Sequence, residues 1–240
     1  MITQSIVSYP SRGHWGDWRY RGNCSGFLIK DLIETYHPSS ILDPMHGGGT
    51  TGEVAAEYDI PFFGYDLHDG YDILDARTQA KMRRDVNTLP TGGADMIFFH
   101  PPYWNMITYS RGNPLDFANG PYSLYLLRMQ NALVHLSNCL SRNGFIALLL
   151  GDLRLQSHNQ TYFLTDDVTE NRKVASAKLI KELRIIKVQH NTQSKGETNL
   201  GIKLTHEYVT ILRSSNALRS ITPRIDALDE TPEADGDTNA

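Results

Sequence analysis

The chain has 240 residues, 40% of them apolar and 21% charged, which suffices for one well-cored α/β domain with small additions. No apolar run approaches the roughly 18–20 residues of a membrane span, and the opening MITQSIVSYPSR lacks the charged and apolar regions of a secretory leader. The net charge of −4 is unevenly spread: residues 226–240 hold six acidic residues and no Lys or Arg, so residues 1–225 carry +2, which permits a local basic groove without predicting one.

Taken in chain order, residues 1–20 read as an N-terminal arm. Its aromatic, basic stretch (Arg12, His14, Trp15, Trp18, Arg19) suits contact with nucleic acid or packing over the core. Phe27–Tyr36 has helical apolar spacing and stops before His37-Pro38. Ile41–Leu42 begins a short apolar strand that runs into Gly47-Gly48-Gly49, and a helix follows through Thr50–Tyr58. Pro61–Asp66 reads as the next strand, Asp72–Leu74 as a short third, and Ala76–Val86 as a polar helix. Ala94–Phe99 is a buried strand ending in His100-Pro-Pro-Tyr-Trp104. A long amphipathic helix over Tyr122–Leu140 leads to Phe145–Leu150, a continuous apolar strand of the kind covered on both faces. Val168–Leu183 is expected to be helical, and Arg184–Val188 and Leu204–Leu212 are expected to be the last strands. Residues 216–240 read as a disordered acidic tail. This alternation predicts an α/β domain, a mostly parallel sheet with helices on both faces, whose ligands sit at the carboxyl ends of the strands.

Two strand ends are punctuated. After Leu42 comes Asp43-Pro-Met-His-Gly-Gly-Gly-Thr-Thr51, where glycine lets the backbone turn sharply and approach a ligand. It is neither a phosphate-binding Gly-Lys-[Ser/Thr] loop nor a full Gly-x-Gly-x-x-Gly fingerprint. The next strand ends in Asp66, a carboxylate suited to ribose hydroxyls. After Phe99 the pair Pro101-Pro102 fixes a rigid extended turn. Rigidity there would aim the His100 carbonyl and side chain, together with the Tyr103 ring, at a planar amine, with Tyr103 stacked on the same base. The two cysteines, Cys24 and Cys139, give neither a metal cluster nor a disulfide framework. Nine histidines include no His-x-x-x-His pair, so no metal is expected and a reducing cytoplasm is the natural setting.

These motifs resemble those of the DNA methyltransferases that modify exocyclic amines, at adenine-N6 or cytosine-N4. The cofactor motif Asp-Pro-Phe-x-Gly-x-Gly-Thr-Thr reads here Asp43-Pro-Met-His-Gly-Gly-Gly-Thr-Thr51, and the catalytic motif [Asp/Asn/Ser]-Pro-Pro-[Tyr/Phe] reads His100-Pro-Pro-Tyr103. Arg21-Gly-Asn-Cys-Ser25, Gly151-Asp-Leu-Arg154 and His206-Glu-Tyr-Val209 extend the likeness over roughly residues 20–213. The resemblance implies a Rossmann-like class I methyltransferase fold with a seven-stranded sheet, over a methyltransferase domain at 21–215. It implies S-adenosyl-L-methionine as cofactor, held by Asn23, Ser25, Phe27, Asp43, Met45, Gly47, Gly49, Thr50, Thr51, Asp66 (ribose) and Asp72 (adenine amine). It implies direct methyl transfer to a flipped base in DNA, with His100, Pro101, Pro102 and Tyr103 as catalytic residues and no covalent enzyme intermediate.

The chain departs from the pattern at His100, which stands where the family has Asp, Asn or Ser and leaves adenine and cytosine both open. It also has no segment long enough for a large recognition domain. Recognition then falls to the loops 105–121 and 155–167, to a second subunit in a homodimer, or to a separate specificity partner. Two other functions remain in view: methylation of RNA or of a protein amide, and a non-catalytic binding module that keeps the fold.

Overall fold

The apolar runs pair into one sheet. In a computed structural model, which describes residues 1–107, 109–110, 112–155, 160–170, 179–188 and 206–214, the elements in chain order are β1 (Ile6–Ser8), α1 (Gly26–Tyr36), β2 (Ile41–Asp43), α2 (Thr50–Glu57), β3 (Phe62–Gly64), α3 (Ala76–Val86), β4 (Ala94–Phe99), α4 (Tyr122–Ser137), β5 (Leu140–Leu150), β6 (Leu153–Leu155), β7 (Gln160–Tyr162), α5 (Leu164–Thr169), β8 (Leu179–Val188) and β9 (His206–Ser214). Seven strands form one sheet in the order β3-β2-β4-β5-β9-β8-β1. β9 runs antiparallel to β5 and β8, and every other neighbouring pair is parallel. This is the mostly parallel α/β sheet that the alternation of elements led one to expect, with the Rossmann-like form and the seven strands that the resemblance implied.

The apolar strands are continuous because each face carries its own core. Ile41, Met96, Phe98, Phe145, Ala147 and Leu149 point to the side where α1 and α2 supply Leu28, Ile29, Leu32, Val54 and Ala55. Leu42, Ile97, Phe99, Ile146, Leu148 and Leu150 point the other way, onto Met82 and Val86 of α3 and Met129, Ala132, Leu133 and Leu136 of α4. Alternate residues of β2, β4 and β5 therefore serve opposite layers, as the two-residue period of a strand requires.

Four expectations are corrected. Asp72–Leu74 is a turn, not a strand, because the Asp72 carboxylate accepts the Leu74 N–H at 2.9 Å, the local bond by which Asp competes with a ladder. The seventh strand is instead β1, at the sheet edge, where Ile6, Val7 and Ser8 pair with Ile186, Lys187 and Val188. The helix expected over Val168–Leu183 ends at Thr169 within α5, and Leu179–Leu183 are strand; residues 171–178 lie outside the described ones. Leu179-Ile-Lys-Glu-Leu183 fits either period, and pairing with β9 on both sides of a register shift at Glu182 decides for the strand. Finally, α4 stops at Ser137 and β5 starts at Leu140, and within the loop expected over 155–167 Gln160–Tyr162 form β7, paired antiparallel with Leu153–Leu155 of β6. The acidic tail at 216–240 lies outside the described residues. Among the described residues no helix is long and apolar enough to cross a membrane.

Candidate active site

β2 and β4 are parallel neighbours, with Ile41 beside Met96 and Leu42 beside Ile97. Their carboxyl ends therefore open on the same edge of the sheet. From β2 the chain goes to β3 on one side and, after α3, to β4 on the other, so the loops part and leave a crevice there. That crevice is lined by the glycine loop (Asp43, Met45, Gly47, Thr50, Thr51), by Asp66 and Asp72, by Asn23, and by His100 and Pro102. The two punctuated strand ends thus share one cleft.

The glycine loop is built from backbone hydrogen bonds. Gly47 N–H donates to Asp66 Oδ2 at 3.0 Å and His68 N–H to Asp66 Oδ1 at 2.9 Å, so Asp66 ties the loop to the tip of β3. Met45 N–H donates to Asp43 Oδ1 at 3.0 Å. Gly49, with φ 85°, caps α2 in the left-handed region. A Cβ there meets nothing within 4 Å, so Gly49→Ala is expected to cost only backbone strain, about 1–2 kcal/mol, as a shift in the urea midpoint. Gly48 is needed for a different reason. Asp17 N–H donates to its carbonyl at 2.8 Å and the Asn23 amide donates to the Asp17 carbonyl at 2.5 Å, strapping residues 17–23 over the loop. A Cβ on Gly48 would fall 2.5 Å from Asn23 Nδ2.

The cleft is acidic. Asp43, Asp66, Asp72 and Asp116 line it, and among the described residues no Lys or Arg does. Asp43 is 2% exposed, and burial pushes its carboxyl up to about 6 against the hydrogen bonds from Thr51 and Met45 that favour its charge. Because this acid is weaker folded than unfolded, it favours folding below its ordinary range near 3.8, and that contribution is lost as pH rises through about 6. A tenfold change in acid strength corresponds to about 1.4 kcal/mol. Asp43→Asn is therefore expected to gain stability on the wild type above pH 6 and not below pH 4, in urea titrations of the ligand-free protein. A bound cation would stabilise the Asp43 carboxylate and narrow that gap.

The proline segment turns two side chains in different directions. His100 lines the cleft with Pro102, whereas Tyr103 is 8% exposed and points into the body. The Tyr103 hydroxyl donates to Glu207 Oε1 at 2.8 Å, and Glu207 Oε2 accepts from Lys187 Nζ at 2.8 Å. His100 Nε2 lies 3.2 Å from the same hydroxyl. A buried phenol needs a partner for its hydroxyl, and Glu207 supplies it; the structure thus does not bring the Tyr103 ring to the cleft surface, where stacking on a base was expected. Trp104 is also buried, donating from its indole to the Gly120 carbonyl at 3.0 Å and packing on Tyr122 and Tyr162.

Other expected site residues do not line the cleft. Ser25 donates to the Ser11 carbonyl at 3.1 Å, Phe27 packs edge-on to Trp15, Pro101 is buried, and Gly49 caps its helix. Sequence reasoning missed the aromatic and acidic rim. Tyr20 lies against Gly47 and stacks on Tyr109 at 6.2 Å. Asp116 is held by Ser110, whose N–H and hydroxyl donate to it at 3.0 and 2.8 Å, and by Ala118 N–H at 2.8 Å. The only advance signal was local: Asn113-Pro114-Leu115-Asp116 has turn composition. Glu207 lay within the His206-Glu-Tyr-Val209 segment of the resemblance with no role assigned to it, and Lys187 carried no sequence signal beyond its place on a late strand. Among the described residues no group of three or more His, Cys, Asp or Glu could hold a metal.

No protein-family profile matches the chain, and no curated protein matches its sequence. Solved structures resemble it at low identity and with TM-scores below 0.5. A proposed DNA modification methylase from Thermus thermophilus, complexed with S-adenosyl-L-methionine, is 18% identical, with 55% of this chain and 50% of that one covered and a TM-score of 0.39. TrmN from Thermus thermophilus is 17% identical over 81% of this chain and 50% of its own, with a TM-score of 0.43. A TehB-like SAM-dependent methyltransferase from Corynebacterium glutamicum is 14% identical over 78% and 86%, with a TM-score of 0.40. The match spans about half the length of the two Thermus proteins.

Proposed function

We propose that the chain is an S-adenosyl-L-methionine-dependent methyltransferase acting on an exocyclic amine of a DNA base, adenine-N6 or cytosine-N4. One observation carries the reading: the glycine loop with Asp66 and Asp72 lines the same crevice as His100 and Pro102.

The residues present fit the cofactor. Four carboxylates and no Lys or Arg among the described lining residues disfavour a polyphosphate nucleotide and favour a ligand with net positive charge. Asp43, buried and held up to about 6, is the group a nearby cation would most stabilise in its charged form. Asp66 and Asp72, just after β3 and before α3, line the cleft, and their carboxylates suit the hydroxyls and amine of a nucleoside. The sulfonium methyl of that cofactor supplies the electrophile. What the protein does is geometric. The glycine loop allows close approach, the stiff Pro101-Pro102 turn holds His100 at the opposite wall, and His100 accepts from the amine so that its nitrogen lies in line for displacement. The buried thiols fit no nucleophilic role: burial pushes Cys24 up to about 12 and Cys139 to about 12, where neither is a thiolate at neutral pH.

The test is transfer of a tritiated methyl from the cofactor to plasmid DNA, to transfer RNA and to protein extract, followed by mass spectrometry of the released nucleosides. The expected product is N6-methyladenine or N4-methylcytosine in DNA. Label in RNA or protein with none in DNA overturns the substrate, and no cofactor binding by calorimetry overturns the enzyme.

A further inference from the structure

Between Ile107 and Pro121 the described residues form neither helix nor strand, yet side chains knit them closely. Asp116, 3% exposed, accepts from the Ser110 N–H and hydroxyl and from the Ala118 N–H. The Asn119 amide donates to the Ser110 carbonyl at 3.1 Å and to the Asn113 carbonyl at 2.8 Å. From α4 the Arg128 guanidinium donates to the Asp116 and Asn119 carbonyls at 2.9 and 2.7 Å, and to the Pro114 carbonyl as well. These bonds replace the ladder that a loop lacks. At the start of the segment Tyr109 stacks on Tyr20 of the strap. The segment is thus held as one wall of the cleft, on the side reached from β4.

Asn113 is the residue of that wall with a donor to spare. Its Oδ1 accepts the Leu115 N–H at 3.0 Å, the local turn by which Asn fixes its own side chain. A backbone N–H only donates, so the amide oxygen is the atom on that bond and the NH2 group is the other branch. Among the described residues this NH2 meets no acceptor, although the side chain is half-buried and lines the cleft. The carboxylate of Asp116, by contrast, is occupied by donors of its own loop.

We propose that Asn113 reads the acceptor base, its amide NH2 donating to the ring nitrogen beside the amine that is methylated. The inference rests on the reading of the substrate as an adenine or cytosine amine, and it adds what separates those bases from the other two. The amine-bearing carbon adjoins N1 in adenine and N3 in cytosine, and each of these nitrogens carries a lone pair. The corresponding nitrogen of thymine and of guanine carries a hydrogen, which would meet the Asn113 NH2 donor against donor. One fixed amide therefore admits both amine bases and rejects the others.

The experiment uses the full chain and mixed-sequence DNA duplexes in which 1-deazaadenine replaces adenine, or 3-deazacytosine replaces cytosine. Each analogue keeps the amine and exchanges the lone pair for a C–H. The wild type is expected to prefer the natural duplex by about tenfold in kcat/KM. Asn113→Asp keeps an oxygen for the Leu115 N–H and loses the donor, so the turn survives. It is expected to slow transfer to natural DNA by about tenfold, to bind the cofactor no more weakly in calorimetry, and to lose or reverse the preference. Asn113→Ala is the second variant and is expected to lose the preference too. Weaker pairing of the analogue duplex is common to all three proteins and cancels in the comparison, as does repulsion of DNA by the added carboxylate. A wild type that methylates both duplexes equally overturns the proposal and leaves the proposed function standing, as does a tenfold preference retained in either variant. A wild type that methylates no DNA base removes the proposed function and this inference with it.

Discussion

His100→Ala is expected to lower methyl transfer by about 100-fold with cofactor affinity unchanged within about twofold, the range seen when one preorganised polar contact to a reacting group is removed. The side chain lines the cleft on the proline side, across from the loop held by Asp66 and capped by Gly49. Its removal therefore leaves the cofactor side untouched, and Pro101-Pro102 keep the turn stiff. Single-turnover kinetics read the chemical step and calorimetry reads the affinity. His100→Asn is the control: its side-chain carbonyl accepts without depending on a tautomer, so the loss should be no more than about tenfold. Equal loss in both variants would mean that the imidazole does something other than accept from the amine.

The second large effect is on stability. Lys187→Met alone takes the cation from beside the buried Glu207 carboxylate, and is expected to cost about 3–5 kcal/mol in urea denaturation. Neutralising both partners, as Lys187→Met with Glu207→Gln, is expected to recover most of that loss, because the buried charge that lost its ion-pair partner is removed with it. If the single and double variants are equally destabilised, the pair contributes through packing of the Lys187 stem instead.

The likeness to solved methyltransferase structures does not supply these expectations, since it stands at 14–18% identity in the three structures compared. They come from the contacts of His100, Glu207 and Lys187.

How much was legible in advance depended on the range of the forces involved. β2, β4, β5, α1 and α3 are written in runs of 3–11 residues whose periodicity and breakers are local. The glycine loop and the His100-Pro-Pro turn are likewise local, since glycine and proline act on their own backbone. β1 could not be read, because three exposed or half-buried residues acquire a partner only from β8, some 180 residues later. The segment Leu179–Leu183 was misread because its apolar spacing suits a helix as well as a strand, and β9 decides between them.

From the amino-acid order alone came the strand–helix alternation, the mostly parallel sheet, and the two punctuated strand ends with their residue types. The tertiary structure decided that those ends meet in one acidic cleft, that Tyr103 turns inward, and that Glu207 and Lys187 lie behind His100. The physical reason is separation along the chain. Turn and period signals act over a few residues, whereas a hydrogen bond between positions 103 and 207 exists only once β4, β5, β9 and β8 have taken their places side by side.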